Sequence, residues 1–259
     1  MIVNNVLRGA DPEVFLKSVE TGSPVVSIGL IGGTKKKPRK IGNGYALQED
    51  NVTAEFNIPP SNNKKAFVAS LEYTLSFLRS ELSPKGLDLS IVPSMEFTEE
   101  QLDHPQAQEL GCEPDYNAWT GEMNPRPFAP PSLRSAGGHL HIGYDNPTIA
   151  ISQEIIKAHD LFLGVASVLY DPDKRRRQIY GKAGACRFKG YGVEYRTPSN
   201  FWISSTELME WAYEQSEKAI NFVNEGIQLT EAMSNNIINC INKGNKGLVR
   251  VLDKQYGIL

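Results

Sequence analysis

The sequence predicts an α+β fold, a mainly antiparallel sheet with helices packed on one face. Two segments, Val52 to Ile58 and Leu87 to Val92, alternate apolar and polar residues, which is typical of strands with one covered face. Between them, Lys64 to Leu82 has the period of a helix with one apolar stripe. The stripe consists of Phe67, Leu71, Leu75, Leu78 and Leu82. We expect this helix to cover the apolar side of the sheet.

Size, charge and cysteine content narrow the class of protein. At 259 residues the chain can bury a substantial core. Its net charge of -3 disfavours a nucleic-acid-binding protein, because such proteins carry a basic surface. Cys112, Cys186 and Cys240 are odd in number and widely spaced. They predict free thiols in a reducing compartment rather than a disulfide framework or a cysteine-based zinc site.

Neither a targeting sequence nor a membrane span is expected. The first five residues lack a basic region followed by an apolar run, the mark of a signal peptide. The longest apolar run, Leu161 to Tyr170, is far shorter than the ~20 residues that a membrane span needs. Because no repeat or linker divides the chain, residues 1–259 are predicted to form a single domain of a cytoplasmic protein without a membrane partner.

Two short strands and a basic loop are predicted ahead of the first helix. Val14 to Val19 and Val25 to Ile28 flank a turn. Lys35 to Lys40 is basic and follows two glycines, so it is either a solvated loop or a flexible loop that closes over ATP. Two prolines end the strand at Ile58, and Ser61 or Asn62 is expected to cap the helix.

The middle of the chain is predicted to be largely irregular. Met95 to Phe97 extends the strand that begins at Leu87, and Thr98 to Arg134 is rich in proline and acidic residues. A long irregular segment within a compact protein is more often functional than idle. A helix is expected to begin after Asn146 and Pro147 and to end at Tyr170.

The last third is predicted to contain one strand, a basic loop and two helices. Lys174 to Arg177 begins the loop, which continues through Lys182 to Arg187 and is again either solvated or closed over ATP. The strand is Gly192 to Arg196, and Ser204 with Glu207 forms a capping box for a helix that ends near Gly226. The final helix is predicted from Ile227 to Asn242, and a short tail follows.

The strand around His139 and His141 carries the most informative pattern. Alternate side chains of a strand share a face, so the two imidazoles lie on one face and Leu140 and Ile142 on the other. The glycine pair just before His139 allows a close approach to the backbone, as by a nucleotide phosphate. The pattern suits a metal or phosphate site, although a half-buried strand with a polar face is equally compatible with it.

Three predicted strands each place their polar side chains on a single face. The pairs are Glu55 with Asn57, His139 with His141, and Glu194 with Arg196, and Glu13 lies beside the first strand. If these strands share a sheet, its open face gathers carboxylates, imidazoles and a guanidinium that divalent cations would neutralise. Mixed carboxylate and imidazole ligands near basic loops favour Mg²⁺ or Mn²⁺ over structural zinc. The alternative is a charged solvent face with no ion.

Five segments resemble a known enzyme superfamily. GGHLHIG at Gly137 is similar to the HxH strand of the glutamine synthetase and glutamate–cysteine ligase superfamily, and VEYRTPSNF at Val193 to its ExR strand. GADPEVFL, AEFNIPPSN and GCEPDYNAW resemble segments of the compact carboxylate–amine ligases (amidoligases) found in phages. The segments occur in order from Arg8 to Trp202, so the resemblance covers most of the chain.

The resemblance implies a fold and a reaction. It implies a glutamine synthetase-like antiparallel sheet curved around an ATP site with two or three divalent ions, Mg²⁺ or Mn²⁺. It further implies that a carboxylate attacks ATP to give an acyl phosphate and ADP, after which an amine displaces phosphate and leaves an amide. If the gene is phage-borne, the reaction takes place in the host cytoplasm. The carboxylate, the amine and the oligomeric state are not implied.

The resemblance also assigns roles to individual residues. The implied metal ligands are Glu13, Glu55, His139 and Glu194. His141 is implied to lie near the ATP phosphates, and the candidate ATP-binding residues are His141, Lys182, Arg187 and Asn57, the last without a firm role. Among them, His141 and Arg187 act with Arg196 on the transferring phosphoryl group. Asp11 and Asp115 are further candidates without a defined role.

Two other functions remain open on the sequence alone. A metal-dependent phosphoesterase would use the same cluster of carboxylates and imidazoles without consuming ATP. A non-catalytic protein would instead bind nucleotide or nucleic acid through the two basic loops. Against nucleic acid, the basic residues are not interleaved with aromatic residues and the net charge is negative.

Overall fold

The structure is a computed structural model that describes residues 2–108, 115–125 and 130–259. The strands are β1 (Leu7–Ala10), β2 (Glu13–Ser18), β3 (Pro24–Val25), β4 (Arg39–Gly42), β5 (Tyr45–Asp50), β6 (Thr53–Asn57), β7 (Leu87–Ser90), β8 (Ser94–Glu96), β9 (Tyr116–Asn117), β10 (Leu133–Ser135), β11 (Leu140–Gly143), β12 (Ala185–Lys189) and β13 (Gly192–Tyr195). The α-helices are α1 (Lys64–Leu82), α2 (Pro105–Gln108), α3 (Ile149–His159), α4 (Val165–Tyr170), α5 (Lys174–Ile179), α6 (Thr206–Asn224), α7 (Glu231–Lys243) and α8 (Lys246–Tyr256). The predicted α+β fold is confirmed, and the strand pairings are antiparallel.

The two larger sheets join into one curved surface. One has the order β1-β11-β13-β12-β9, and the other has the order β3-β2-β6-β5-β4 with β7 also on β2. β1 continues into β2 through Asp11 and Pro12, and backbone hydrogen bonds cross the junction on both sides. Glu13 N donates to Gly137 O at 2.9 Å, and Ile58 N donates to Ala10 O at 3.2 Å. The strand made of β1 and β2 is therefore the seam of the curved sheet.

Helix α1 has the predicted bounds and the predicted buried stripe. Phe67, Leu71, Leu75, Leu78 and Leu82 are all buried, and α1 packs against α6 and β7. The predicted cap is wrong by one or two positions. Asn63 holds it, since its Oδ1 accepts from Ala66 N at 3.0 Å. A run of three polar residues offers several possible caps, and only the first helical residue decides among them.

The helix predicted to follow Pro147 is continuous but not uniform. Thr148 caps α3, and a π-helical segment, Asp160–Gly164, joins α3 to α4. α4 ends at Tyr170, as predicted. α6 also ends near Gly226, as predicted, but its cap is Ser205 rather than Ser204.

Several elements differ from the sequence-based prediction. The final predicted helix begins later, at Glu231, and the tail contains a further helix, α8, whose Val249 and Leu252 are buried. β4 and β5 were not predicted, because residues 39–50 contain few apolar side chains. The predicted strand at Val25 is only two residues long.

Cys186 and Cys240 are free, as predicted, and both are buried. Cys112 lies outside the described residues, as do the first four residues of the GCEPDYNAW segment. Among the helices of the described ranges, none combines the length and the apolarity needed to cross a membrane.

Candidate active site

Strand register places the predicted polar side chains in rows on one face of the curved sheet. Across the first sheet, Gly9 of β1 pairs with His141 of β11, His141 pairs with Glu194 of β13, and Glu194 pairs with Arg187 of β12. Paired residues of neighbouring strands project to the same face. The predicted common face of the HxH and ExR strands is therefore confirmed.

One side of the seam holds a group made of Asp11, His141 and Glu194. One potential ligand atom from each lies within 4.8 Å of the others. Asp11 Oδ1 and His141 Nε2 are only 2.9 Å apart, yet within the described part of the chain neither atom has a partner in hydrogen-bond geometry. Two buried polar atoms that face the same space without a hydrogen bond fit a shared cation.

The other side of the seam holds a group of three carboxylates, Glu13, Asp50 and Glu55. Their oxygen atoms also lie within 4.8 Å of one another. Glu13 and Glu55 are directly paired across β2 and β6. Glu13 Oε2 also accepts a hydrogen bond from Gly137 N at 2.8 Å, which ties this group to the start of β11.

The electrostatics of the three-carboxylate group also fit a cation. Burial raises the pKa of Glu55 well above its usual value, and the charges of Asp11, Glu13 and Asp50 raise it further. Burial likewise raises the pKa of Glu13, although His139 opposes this effect. Carboxylates that crowd together while buried favour protonation unless positive charge is supplied. The oxygen-rich donor sets are of the kind that Mg²⁺ or Mn²⁺ prefers.

Asp11 differs from these carboxylates because imidazoles surround it. Burial alone would raise the pKa of Asp11, but the charge of His141 and the neighbouring His139 ring hold it well below its usual range. Conversely, burial lowers the pKa of His141, but Asp11 outweighs burial and the net shift is upward. The carboxylate and the imidazole thus favour each other's charged form.

His139, predicted as a metal ligand, stands beside the first group. Its Nδ1 lies 3.5 Å from Asp11 Oδ1 and 3.6 Å from Glu194 Oε1. The same nitrogen accepts from Arg196 Nη1 at 3.3 Å, so it stands between the carboxylates and the guanidinium. Its role as a ligand stays a prediction.

The glycines before His139 make room for the protein itself rather than for a phosphate. A Cβ on Gly137 would lie 2.1 Å from His139 Nε2. A Cβ on Gly138 would lie 2.2 Å from the carbonyl oxygen of Ser199 and 2.5 Å from Trp202 Nε1. The expected close approach to the glycine backbone is present, but the groups that approach it are the His139 imidazole and the loop after β13.

Three cationic side chains surround Glu194. Arg196 Nη1 donates a short hydrogen bond to Oε1, while Lys189 Nζ and Arg187 Nη1 lie 3.1 and 3.4 Å from Oε2. Burial would raise the pKa of Glu194, but Arg196, His139 and Arg187 together outweigh it, and the pKa falls to about 2. Arg196 Nε also lies 3.6 Å from Asp115 Oδ2, so the guanidinium reaches the segment that covers the edge of the sheet.

The basic segment Lys174 to Arg177 is a helix and not a loop. Arg176 and Arg177 are buried. Arg176 Nη1 donates to the carbonyl of Thr197 at 2.8 Å, and Nη2 to that of Arg196 at 3.3 Å. Arg177 Nη2 instead donates to the carbonyls of Ser167 at 3.1 Å and Asp171 at 3.2 Å. The expectation that this segment is either solvated or closed over ATP is wrong for both arginines, because both are buried and hold the backbone of neighbouring segments.

The other predicted cationic residues lie on the surface. Residues 34–38 of the first basic segment are exposed, while Arg39 is half-buried and pairs with Glu81 at 2.6 Å. Lys182 is exposed, and its carbonyl accepts from Thr197 Oγ1 at 3.0 Å. Its predicted contact with ATP stays a prediction.

A pocket of about 220 Å³ opens next to the first group. His141 and Asn57 line it on the polar side, and Tyr191 stands at its wall. The remaining lining is mainly apolar and includes Leu7, Ile58 and Pro60. A mainly apolar pocket with a few polar groups at one side is typical of a site that binds a small molecule.

Asp160, at the start of the π-helical segment, fixes the far side of β13. Its two oxygens accept hydrogen bonds from Tyr195, Thr197, Trp119 and Gly184. Burial raises the pKa of this carboxyl to about 6. Because Tyr195 and Thr197 flank Arg196 in sequence, this carboxylate holds the backbone that presents the guanidinium.

Sequence reasoning missed Asp50 and Tyr191. The alternation of Leu47 with Gln48 and Asp50 was a usable signal, since it placed two polar side chains on one face of a strand that leads into Val52. Tyr191 had no such signal, because its role depends on the hairpin that brings it over His141.

Comparison with known proteins supports a family. Residues 122–254 match a protein-family profile described as phage phiEco32-like COOH.NH2 ligase-type 2. No curated protein matches the sequence. The match confirms the predicted resemblance to phage carboxylate–amine ligases.

Two solved structures have a distant likeness to this chain. A crystal structure of a novel glutamine synthase homologue is 13% identical, covers 98% of this chain and 64% of that one, and gives a TM-score of 0.45. A GmaS/ADP complex is 10% identical, covers 97% of this chain and 68% of that one, and gives 0.41. The chain thus spans about 64% of the length of the first of these proteins. Likenesses of this size say nothing of substrate or activity.

Proposed function

Because the chain belongs to the phage phiEco32-like COOH.NH2 ligase-type 2 family, we propose that it is an ATP- and divalent-metal-dependent ligase that joins a carboxylate to an amine. A substrate carboxylate oxygen attacks the γ-phosphorus of ATP, the bond to the bridging oxygen breaks, and ADP leaves. The amine nitrogen then attacks the carbonyl carbon of the acyl phosphate. Phosphate leaves with the electrons of the C–O bond, and the nitrogen gives up a proton.

The observation that carries this proposal is the pair of ligand groups on either side of the seam, to each of which the seam strand contributes one carboxylate. Asp11 contributes to one group and Glu13 to the other. Divalent ions held there supply positive charge to the nucleotide phosphates and to the transferring phosphoryl group. The proposed ligands are Asp11, His141 and Glu194 for one ion and Glu13, Asp50 and Glu55 for the other, with His139 beside the first.

The cationic side chains act on the transferring group itself. Arg196 and Arg187 are fixed beside Glu194, so they are held in place before substrate binds. Donors placed in advance stabilise the charge that develops during phosphoryl transfer without having to reorganise. We assign Lys182 to the outer phosphates, since it is exposed on the loop that precedes Arg187.

The pocket next to His141 is the proposed site of the nucleotide base. Asn57 offers both an amide donor and an amide acceptor at its wall. The apolar remainder suits the faces of a purine. His141 then lies between the base and the phosphates, and the sequence resemblance likewise implied a position near the phosphates. Since ATP is the proposed cosubstrate, the cytoplasm is the proposed compartment, and small-molecule or peptide carboxylates and amines are the proposed partners.

A thermal-stability measurement tests the proposal without knowledge of the substrate. A non-hydrolysable ATP analogue and Mg²⁺ or Mn²⁺, at ~100 times the dissociation constant, stabilise the folded state by about 2.7 kcal/mol. For a chain of this size we expect the unfolding midpoint to rise by roughly 5–10 °C. The rise should require the ion and the nucleotide together.

Substitutions in the second group test whether the thermal shift depends on its carboxylates. Asp50→Asn and Glu55→Gln should abolish the joint shift, because each removes a proposed ligand from the second group. Glu20→Gln, an exposed carboxylate in the turn after β2, is the matched control and should keep it. A shift with the ion alone would replace the ligase by a metal-dependent phosphoesterase. The absence of any shift, with salt-sensitive DNA binding instead, would support the nucleic-acid alternative.

A further inference from the structure

The hydroxyl of Tyr191 is hydrogen-bonded to the ring nitrogen of His141 that points away from Asp11. Tyr191 lies in the hairpin between β12 and β13, and its hydroxyl makes a short hydrogen bond with His141 Nδ1. The other nitrogen, Nε2, faces Asp11 in the first group, which consists of Asp11, His141 and Glu194. One imidazole therefore connects the proposed ion to a tyrosine outside the ligand set.

This contact offers an acceptor to the tautomer of His141 that binds metal. An imidazole nitrogen can give its lone pair to an ion only if the ring proton sits on the other nitrogen. With Nε2 toward the ion, the proton belongs on Nδ1 and must be donated to an acceptor. The Tyr191 oxygen is that acceptor, and partners of this kind orient histidine ligands and raise their affinity for metal.

The backbone holds Tyr191 in this position. Tyr144 N donates to the Tyr191 carbonyl at 3.0 Å, which fastens the hairpin to the end of β11. Gly192 has a φ of +147°, and a Cβ there would lie 2.1 Å from the Ile142 carbonyl oxygen. Only glycine allows the hairpin this close to β11, so the position of Tyr191 is built into the chain.

The same side chain forms part of the pocket proposed for the nucleotide base. Its ring lines the pocket beside Leu7 and Asn57 and remains 46% exposed. The ring centroid is 5.9 Å from that of His141, with an angle of 31° between the planes. A partly exposed aromatic ring at the wall of such a pocket offers a face on which a base can stack.

We propose that Tyr191 is a positioning residue that holds His141 in its metal-binding tautomer and at the same time forms a stacking wall for the nucleotide base. This inference rests on the proposed function and deepens it. The hydroxyl acts on the ion through His141, whereas the ring acts on the base directly. The two contributions can be separated by substitution.

The experiment uses Tyr191→Phe, Tyr191→Leu and a control, Tyr73→Phe, whose residue is similarly exposed on α1. Mn²⁺ binding is measured with Mn²⁺ alone. Nucleotide binding is measured with Mn²⁺ plus either a non-hydrolysable ATP analogue or inorganic tripolyphosphate, and the ratio of the two affinities isolates the base. The unfolding midpoint without ligand reports any structural damage.

The expected pattern is specific. Tyr191→Phe should weaken Mn²⁺ binding by roughly 10- to 100-fold while keeping the preference for the analogue over tripolyphosphate. Tyr191→Leu should weaken Mn²⁺ binding equally and also lose that preference, by about 5- to 100-fold. Both variants should keep the wild-type midpoint, and Tyr73→Phe should match the wild type throughout.

Two outcomes overturn the inference, and they differ from a failure of the proposed function. Unchanged Mn²⁺ affinity in Tyr191→Phe would refute the role of the hydroxyl. An unchanged preference in Tyr191→Leu would refute the role of the ring. If instead the wild-type protein binds neither Mn²⁺ nor the analogue, the proposed function itself falls, and this inference falls with it.

Discussion

His159 should make the stability of the protein sensitive to acid. This fully buried histidine has one ring nitrogen, Nδ1, 2.7 Å from the carbonyl oxygen of Ile155, and the other, Nε2, 2.9 Å from Ser216 Oγ. Because a carbonyl only accepts, the proton sits on Nδ1, and Nε2 accepts from the serine hydroxyl. Ser216 Oγ in turn accepts from Arg8 Nε at 2.9 Å. The arrangement satisfies a neutral ring, whereas a charged ring would deprive the Ser216 hydroxyl proton of its acceptor at Nε2.

The size of the effect follows from the pKa. Burial lowers the pKa of His159 from 6.5 to about 4, the Ile155 carbonyl opposes the shift, and the charge of Arg8 adds to it. Between pH 6.5 and 4 the unfolded chain binds a proton that the folded chain does not, so stability falls as the pH falls through this window. At 1.36 kcal/mol per pH unit, the full effect is about 3.4 kcal/mol.

Urea denaturation of the wild type and of His159→Gln at several pH values measures the contribution of His159 to the unfolding free energy. Glutamine cannot titrate, so between pH 7.5 and 4.5 the wild type should lose about 2.7 kcal/mol of unfolding free energy relative to the variant. Asp160 acts in the opposite direction, because a folded pKa raised to about 6 gives stability that is lost as the pH rises. Both proteins contain Asp160, so its effect cancels in the difference. A difference that stays constant with pH would refute the neutral, buried state of His159.

Three further predictions follow from the site and its support. Gly138→Ala should destabilise the fold by about 1–3 kcal/mol in chemical denaturation, since the new Cβ would lie 2.2 Å from a backbone oxygen; Gly190→Ala, which meets nothing within 4 Å, should be near neutral, and equal costs would contradict the packing argument. Tyr195→Phe should cost about 1.5–3 kcal/mol, because its hydroxyl bonds a buried carboxylate at 2.8 Å; no loss in thermal or urea unfolding would show that the bond contributes nothing. Mn²⁺ binding should weaken as the pH falls and should release protons, since the ion displaces the protons that the raised pKa values of Glu13 and Glu55 favour. Calorimetry in two buffers of different ionisation enthalpy counts the released protons. Binding without proton release would contradict the raised pKa values.

The elements that the sequence predicted well are those that periodicity alone determines. α1 repeats apolar residues at helical spacing from Phe67 to Leu82, and the alternation that begins at Val52 leaves one register for β6. The chemistry of HxH and ExR follows from the same alternation. Each of these inferences needed only neighbours along one strand or one helix.

The rest depended on contacts between segments distant in sequence. Arg176 and Arg177 belong to a charge run that normally indicates a solvated loop, and only the carbonyls they meet explain their burial. Asp50 becomes part of the site because β5 pairs with β6 across a turn at Asn51. α8 was missed because only two of its eleven residues, Val249 and Leu252, are buried.

The two proposed ion sites both depend on the register of one strand, because Asp11 and Glu13 lie two residues apart on the seam. The side-chain period of a strand is two, so a register slip of one residue would turn both carboxylates toward the face packed against the helices. Such a chain would bury two uncompensated charges and assemble neither group. Correct pairing of the seam and assembly of the whole site are thus one event, and a molecule that has closed its core has both carboxylates in place.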